Sequence, residues 1–187
     1  MKKYILIILF SLVAQAQALE FAEVKLDEKI QLEKQQLVLN GAGIRKKLFI
    51  KVYVGALYLA EKQKSADAVL ADNGAKRMSF ILLRDVTGKQ VLNGISEAIL
   101  PNNSEEEMKA IDARLYLFEK MFVSVPEIKK GEIVNLDYIP GQGTRVSVNG
   151  AVKGNIEGQD FYRSLLKIWV GRKPVQSSLK KNVLGEE

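Results

Sequence analysis

The sequence predicts an α+β domain, a large antiparallel sheet with a layer of helices on one face. Three observations predict it. Strand-like runs are joined by hairpin turns, of which Asn149-Gly150 is the clearest because both residues tolerate positive φ. The helices between them announce their own beginnings with capping residues. No strand–helix–strand repeat, the mark of a parallel sheet, appears anywhere along the chain.

The first 18 residues are expected to be an export signal. Lys2 and Lys3 precede an apolar stretch from Tyr4 to Val13, and Ala14-Gln15-Ala16-Gln17-Ala18 supplies small residues at the spacing a signal peptidase accepts. The expected cut follows Ala18, with Ala16 the next candidate. The run is shorter than the roughly 20 apolar residues of a permanent span. No stretch after it is long and apolar enough to cross a bilayer, and no Cys follows it to carry a lipid. The short apolar run after two lysines has a bacterial character, so the expected destination is the periplasm. Residues 19–187 then form one domain with a substantial core.

Residues 19–36 are polar with sparse apolar positions and read as an entry segment, at most one edge strand. Leu37 to Ala60 is strand-like throughout, with Asn40-Gly41-Ala42-Gly43 inside it. Glycines within a strand predict a bulge, or another group close against the backbone. Ser65 to Asn73 reads as a short helix capped by Ser65, and Arg77 to Leu83 as a strand. Thr87 and Gln90 form a capping box for a helix carrying Val91, Leu92, Ile95 and Ile99, which Pro101 ends. Ser104 and Glu107 form a second box, followed by Met108, Ile111, Leu115, Phe118 and Phe122 at helical steps. Glu105, Glu106 and Glu107 sit in that helix's first turn, where its dipole favours negative charge; consecutive residues do not converge on one metal ion. Strands follow from Glu132 to Ile139, Thr144 to Val148 and Ala151 to Ile156. Asp160 is read as the cap of a helix carrying Phe161, Leu165, Ile168 and Trp169, stopped by Gly171 and Pro174, and a last short helix covers Ser177 to Leu184.

Composition narrows the chemistry. The chain has no Cys, which removes thiol nucleophiles, disulfides and iron–sulfur clusters. It has no His, which removes Ser-His triads and the commonest zinc and haem ligand. No metal site and no cofactor is expected. The net charge of +6 falls to +4 without Lys2 and Lys3, since the signal contains no acidic residue. This mild excess alternates in sign along the chain and lacks the aromatic interleaving of a single-stranded nucleic-acid groove, so no nucleic-acid partner is expected. Gly41-Ala42-Gly43 lacks the third Gly and the following helix of a phosphate-cradling loop.

Gly41-Ala42-Gly43-Ile44-Arg45 followed by Phe49-Ile50-Lys51-Val52-Tyr53-Val54-Gly55-Ala56-Leu57-Tyr58-Leu59 resembles the opening β-hairpin of the chalcone isomerase superfamily. Asp85-Val86-Thr87-Gly88-Lys89-Gln90 and Phe161 through Gly171, with its Trp-Val-Gly-x-x-Pro ending and the final Leu184-Gly185, extend the likeness. It spans essentially residues 19–187 and is similar to the bacterial exported branch. The resemblance implies a ligand cleft between sheet and helices. It also implies where an enzyme of the family would keep its machinery: an Arg in the glycine-rich strand, a Thr in the next, and a Tyr and an Asn on the helix after Thr-Gly. Arg45 matches the Arg, Tyr53 stands at the Thr position, and Val91 and Ala98 occupy the Tyr and Asn positions. The last two cannot hold a ketone or its water, so no catalytic residue is assigned. An Arg and a Tyr on successive strands resemble instead the family's fatty-acid-binding members.

The expectation is therefore a non-catalytic periplasmic binding or carrier protein for a small amphipathic acid, such as a fatty acid, with Arg45 and Tyr53 at its polar end. A guanidinium forks onto both carboxylate oxygens and a phenol adds a third hydrogen bond. On one straight strand the two residues would stand about 26 Å apart. The chain must turn at Lys46-Lys47-Leu48, and the side chains are expected to converge only by their length. Alternatives stand beside this. Arg45 could make an ordinary ion pair and Tyr53 a core contact. The domain could be an isomerase or intramolecular lyase on an enone-like substrate, with Arg45 as electrophile and Tyr53 as proton carrier. Its core could also be filled, leaving an interaction module. Trp169 and the Phe118–Phe122 stripe are read as core.

Overall fold

The computed structural model describes residues 18–21 and 24–186, so the export signal lies, but for Ala18, outside the described residues. The expected α+β architecture is present. The 19–36 segment holds more than one edge strand: β1 (Ala18–Phe21) pairs antiparallel with β2 (Val24–Asp27), and β3 (Lys29–Leu32) forms an edge of the main sheet. Val24, Leu26, Ile30 and Leu32 alternate there with polar residues, and Leu26 and Leu32 are buried. After them come β4 (Gln35–Lys47), β5 (Ile50–Leu59), α1 (Ala66–Ala71), β6 (Lys76–Leu82), β7 (Val86–Thr87) and α2 (Gly88–Ile99). A 3₁₀ turn at Leu100–Asn102, set by Pro101, leads to α3 (Glu105–Val123) and β8 (Glu127–Ile128). Then follow β9 (Ile133–Ile139), β10 (Gly143–Val148), β11 (Ala151–Ile156), α4 (Gln159–Val170) and α5 (Ser177–Val183). The seven-stranded sheet runs β11-β10-β9-β6-β5-β4-β3, every pair antiparallel.

Local chemistry sets the helix starts. Both capping boxes are formed: Thr87 Oγ1 accepts from Gln90 N while Gln90 Oε1 accepts from Thr87 N, and Ser104 and Glu107 repeat the exchange. Ser65 accepts from Ala68 N at the start of α1. The reading of Asp160 as a cap is corrected. Gly158, at φ +94°, holds that position, and the Asp160 carboxylate in the first turn is gripped by both terminal nitrogens of Arg114. A glycine reaches this left-handed conformation without penalty, so the turn needs no side-chain cap. Helix α4 carries the heaviest apolar load, burying Phe161, Tyr162, Leu165, Leu166, Ile168, Trp169 and Val170. Each such side chain contributes about 1.5–3 kcal/mol.

The helices lie on one face of the sheet and form the main core with Leu57, Met78, Phe80, Val134, Leu136 and Val146. The opposite face has a core of its own, built from Leu26, Leu32, Leu37, Leu39, Val54, Ala56, Tyr58, Ile81 and Ile139. The sheet curls to enclose it. Four strands separate β3 from β10 in the sheet order, yet the Arg145 guanidinium on β10 pairs with Glu33 at the end of β3. Arg145 also reaches Asp137, which is buried and bound by Arg77.

The glycine run in β4 answers both parts of its expectation. Asn40 is the extra residue of a bulge, since Leu39 pairs with Tyr58 and Gly41 already with Leu57. Its buried amide is fully used, accepting from Gln63 N and donating to Gln63 O and Val183 O. Helix α5 presses on the glycines: a Cβ on Gly41 would stand 2.1 Å from Asn182 O, and one on Gly43 2.8 Å from Asn182 Cβ. The run is a seat for a helix.

Candidate ligand site

Strand parity places the two predicted site residues. Before the bulge, Leu37 and Leu39 face the second core; the extra residue Asn40 reverses the alternation, so that Ala42 continues on that side. Gly41, Gly43 and Arg45 therefore turn toward the helices. On β5 a second irregularity does the same service. Arg45 pairs with Tyr53 and Lys46 with Lys51, which leaves Val52 as the extra residue. Val52 and Tyr53 consequently both face the helix side. The expectation that Arg45 and Tyr53 meet only through long side chains is corrected: they are direct cross-strand partners, about 5 Å apart at the backbone in any antiparallel ladder.

Between this part of the sheet and helices α2, α3 and α4 lies a cavity of about 680 Å³. Its depth is apolar, walled by Phe118, Phe122, Ile128, Val134, Leu136 and Ile168, all buried. Helix α2 contributes Val91, Ile95 and Ala98, so both positions at which the resemblance would place an enzyme's polar groups do stand in the wall. The rim is polar and mostly basic. Lys47, Arg84 and Lys173 are exposed there with Gln90, Asn93 and a single carboxylate, Glu97. Arg45 stands between rim and depth, half-buried. The filled-core alternative does not describe this molecule.

Arg45 makes no ion pair among the described residues. Its guanidinium donates to Lys46 O and, at 3.3 Å, to Gln176 Oε1. Gln176, just before α5, is itself fixed by donating to Ile44 O at 3.0 Å and accepting from Lys46 N at 2.8 Å. It thereby holds the arginine by a neutral contact and leaves its charge uncompensated.

Tyr53 sits in an aromatic wall. Its ring meets Phe80 edge-on at 5.2 Å, and Phe80 meets Trp169 at 4.7 Å. Trp169 Nε1 donates to Tyr53 Oη at 2.9 Å. The phenol thus accepts a bond, while its own proton has no acceptor among the described residues. Tyr53 is half-buried because its ring borders the cavity, but its surroundings are dense enough that burial pushes its pKa up to about 12. The Trp169 hydrogen bond and the Arg45 charge pull the other way and are outweighed. Trp169 is core, as expected, and also a wall of the site, which was not. Gln176 carried no sequence signal at all.

A family model described as chalcone isomerase-like matches residues 18–185. The chain belongs to the chalcone isomerase-like family. Comparison with curated protein sequences finds no match. Among solved structures, this chalcone isomerase-like domain is similar to a fatty-acid binding protein of Arabidopsis thaliana, with a TM-score of 0.71 over 90% of this chain and 96% of that one. Sequence identity is 17%, so the likeness is one of fold. No helix among the described residues is long and apolar enough to cross a membrane.

Proposed function

We propose that this protein is a non-catalytic carrier, exported to the periplasm, that binds a small amphipathic acid such as a fatty acid. The tail lies in the apolar depth and the carboxylate is held by Arg45 and Tyr53. One observation carries the reading: a guanidinium without an ion pair and a phenol whose proton has no acceptor, among the described residues, stand side by side at the edge of a mostly apolar hollow. A half-buried cation without a counter-ion is costly, and an incoming carboxylate relieves that cost while accepting charge-assisted hydrogen bonds. A cavity of about 680 Å³ falls within the roughly 300–1,000 Å³ range of small-molecule sites. That a plant protein of the same fold is a fatty-acid binding protein supports the choice of ligand class. The positively charged export signal and its small-residue cleavage site support the location.

Two features favour grip over turnover. Val91 and Ala98 offer no polar group to a ketone, and a phenol held near a pKa of about 12 stays protonated at neutral pH, a donor and not a base. Native mass spectrometry and solvent extraction of the purified protein test the proposal. An acyl acid recovered from the wild type and absent from Arg45→Ala supports it. An empty protein that gives no signal on titration with fatty acids, or one that turns over enones and loses that activity in Tyr53→Phe, overturns it.

A further inference from the structure

The turn joining β4 to β5 carries apolar surface that the Arg45–Tyr53 pair does not use. Lys47 pairs with Ile50, so Leu48 and Phe49 alone make the loop. Both stand in solvent, Leu48 at 86% and Phe49 at 98% exposure, and Ile50 is half open at 52%. Leu48 adopts φ +56°, a left-handed conformation that two-residue hairpins normally give to Gly, Asn or Asp. The same chain has such a turn at Asn149-Gly150, with φ +49° and +79°. Folding therefore does not call for leucine and phenylalanine at this tip, and their apolar surface finds no partner among the described residues. The flanks are cationic: Lys46, Lys47 and Lys51 are all exposed. Lys47, Leu48 and Ile50 also border the cavity, so the tip stands at its mouth, beside Arg84 and Lys173.

We propose that this hairpin docks the protein on a lipid bilayer bearing anionic headgroups, with Leu48 and Phe49 in the acyl boundary and the lysines among the headgroups. An apolar wedge ringed by lysines suits that interface, where shallow apolar insertion and attraction to anionic lipid act together. Each term alone gives weak, reversible binding, which fits a protein that must leave again. The inference deepens the carrier reading by placing the transfer of an amphipathic acid at the membrane surface, but the docking itself needs no bound acid.

Co-sedimentation with phosphatidylcholine vesicles, with and without phosphatidylglycerol and free of fatty acid, tests it. The wild type is expected to bind the anionic vesicles and to be released by salt. Phe49→Ser, which removes a side chain outside the cavity wall, is expected to weaken binding by about tenfold. Lys46→Gln with Lys51→Gln is expected to weaken it by roughly thirtyfold. Fatty-acid titration of Phe49→Ser should match the wild type, so that loss of docking and loss of ligand binding are read separately. A wild type that ignores anionic vesicles at low salt, a Phe49→Ser protein that binds them undiminished, or a tip that instead drives self-association abolished by Phe49→Ser would overturn the proposal.

Discussion

Trp169 holds Tyr53 from behind: the indole N–H of helix α4 donates to the phenol oxygen of β5 at 2.9 Å, ties the helix layer to the sheet, and leaves the phenol's own proton turned loose. The bond fixes which way Tyr53 can donate. Its partner across the ladder, Arg45, is fixed by Gln176. Two neutral residues thus orient the two groups of the candidate site, and substitutions at each can separate their roles.

Removing the cation should cost the most. Arg45→Ala is expected to weaken binding of a fatty acid by about 1.5–3 kcal/mol, roughly a tenfold loss or more, the worth of hydrogen bonds to a charged group. Arg45→Lys should recover part of it, since an ammonium keeps the charge but not the fork. Isothermal titration with a fatty acid and with its methyl ester checks this. The ester should bind wild type and Arg45→Ala alike.

Tyr53→Phe should have a split effect. Ligand affinity falls by about 0.5–1.5 kcal/mol, the net worth of one hydrogen bond. Stability falls as well, by about 1–3 kcal/mol, because Trp169 Nε1 is left without an acceptor in a buried site. Denaturant melts of the ligand-free protein report the second effect independently of the first.

Stability should fall as pH rises from about 10 to about 12. Tyr53 and Tyr58 are both pushed up to about 12, chiefly by burial, and Tyr162 is raised well above the ordinary phenol value, again chiefly by burial. A pKa higher in the folded than in the unfolded state means that the folded form holds its proton longer. The resulting stability is intact below pH 10 and lost as the pH climbs through the folded value. Denaturation midpoints across this range, with the tyrosinate absorbance recorded alongside, should show late-titrating phenols whose ionisation coincides with unfolding. Ligand affinity should be flat from neutral pH to about 9, where Tyr53 remains protonated.

Filling the hollow should change what fits. Ala98 is buried at the cavity wall on α2, and Ala98→Phe places a ring into the hollow that the tail would occupy on the carrier reading. Long-chain acids should lose affinity while short ones, held by the same carboxylate contacts, lose little. A titration series over chain length reads the difference.

Two glycines should respond in opposite senses. Gly41→Ala sets a methyl against Asn182 O and must shift α5, and with it Gln176 and Arg45. Overpacking of this kind costs about 1–3 kcal/mol, and ligand binding should weaken in parallel. Gly94, in the interior of α2, has nothing within 4 Å of an added Cβ, so Gly94→Ala should raise stability by about 0.5–1 kcal/mol. Thermal melts of both variants decide it.

What could be read from the sequence was what local chemistry writes there. The boxes at Thr87–Gln90 and Ser104–Glu107 lie within one turn of helix, and the Asn149-Gly150 turn needs only its two residues. The site needed more. Its register depends on extra residues at Asn40 and Val52 and on a turn at Leu48 and Phe49, residues that are poor turn formers. Glycines hinted at the first bulge; nothing hinted at the second. Gln176 lies 131 positions from the arginine it orients, beyond the reach of any local pattern. Trp169 falls on a helical stripe that also describes ordinary core, so its second role was hidden by its first.

The hollow beneath α2 has a consequence for how the protein completes itself. Its own side chains leave the main core unfinished, and on the carrier reading the guest's tail is the last piece. A guest at about 100 times its dissociation constant would add roughly 2.7 kcal/mol to the folded state. Cells short of the acid would then hold a looser, more easily degraded protein, and its abundance would follow supply.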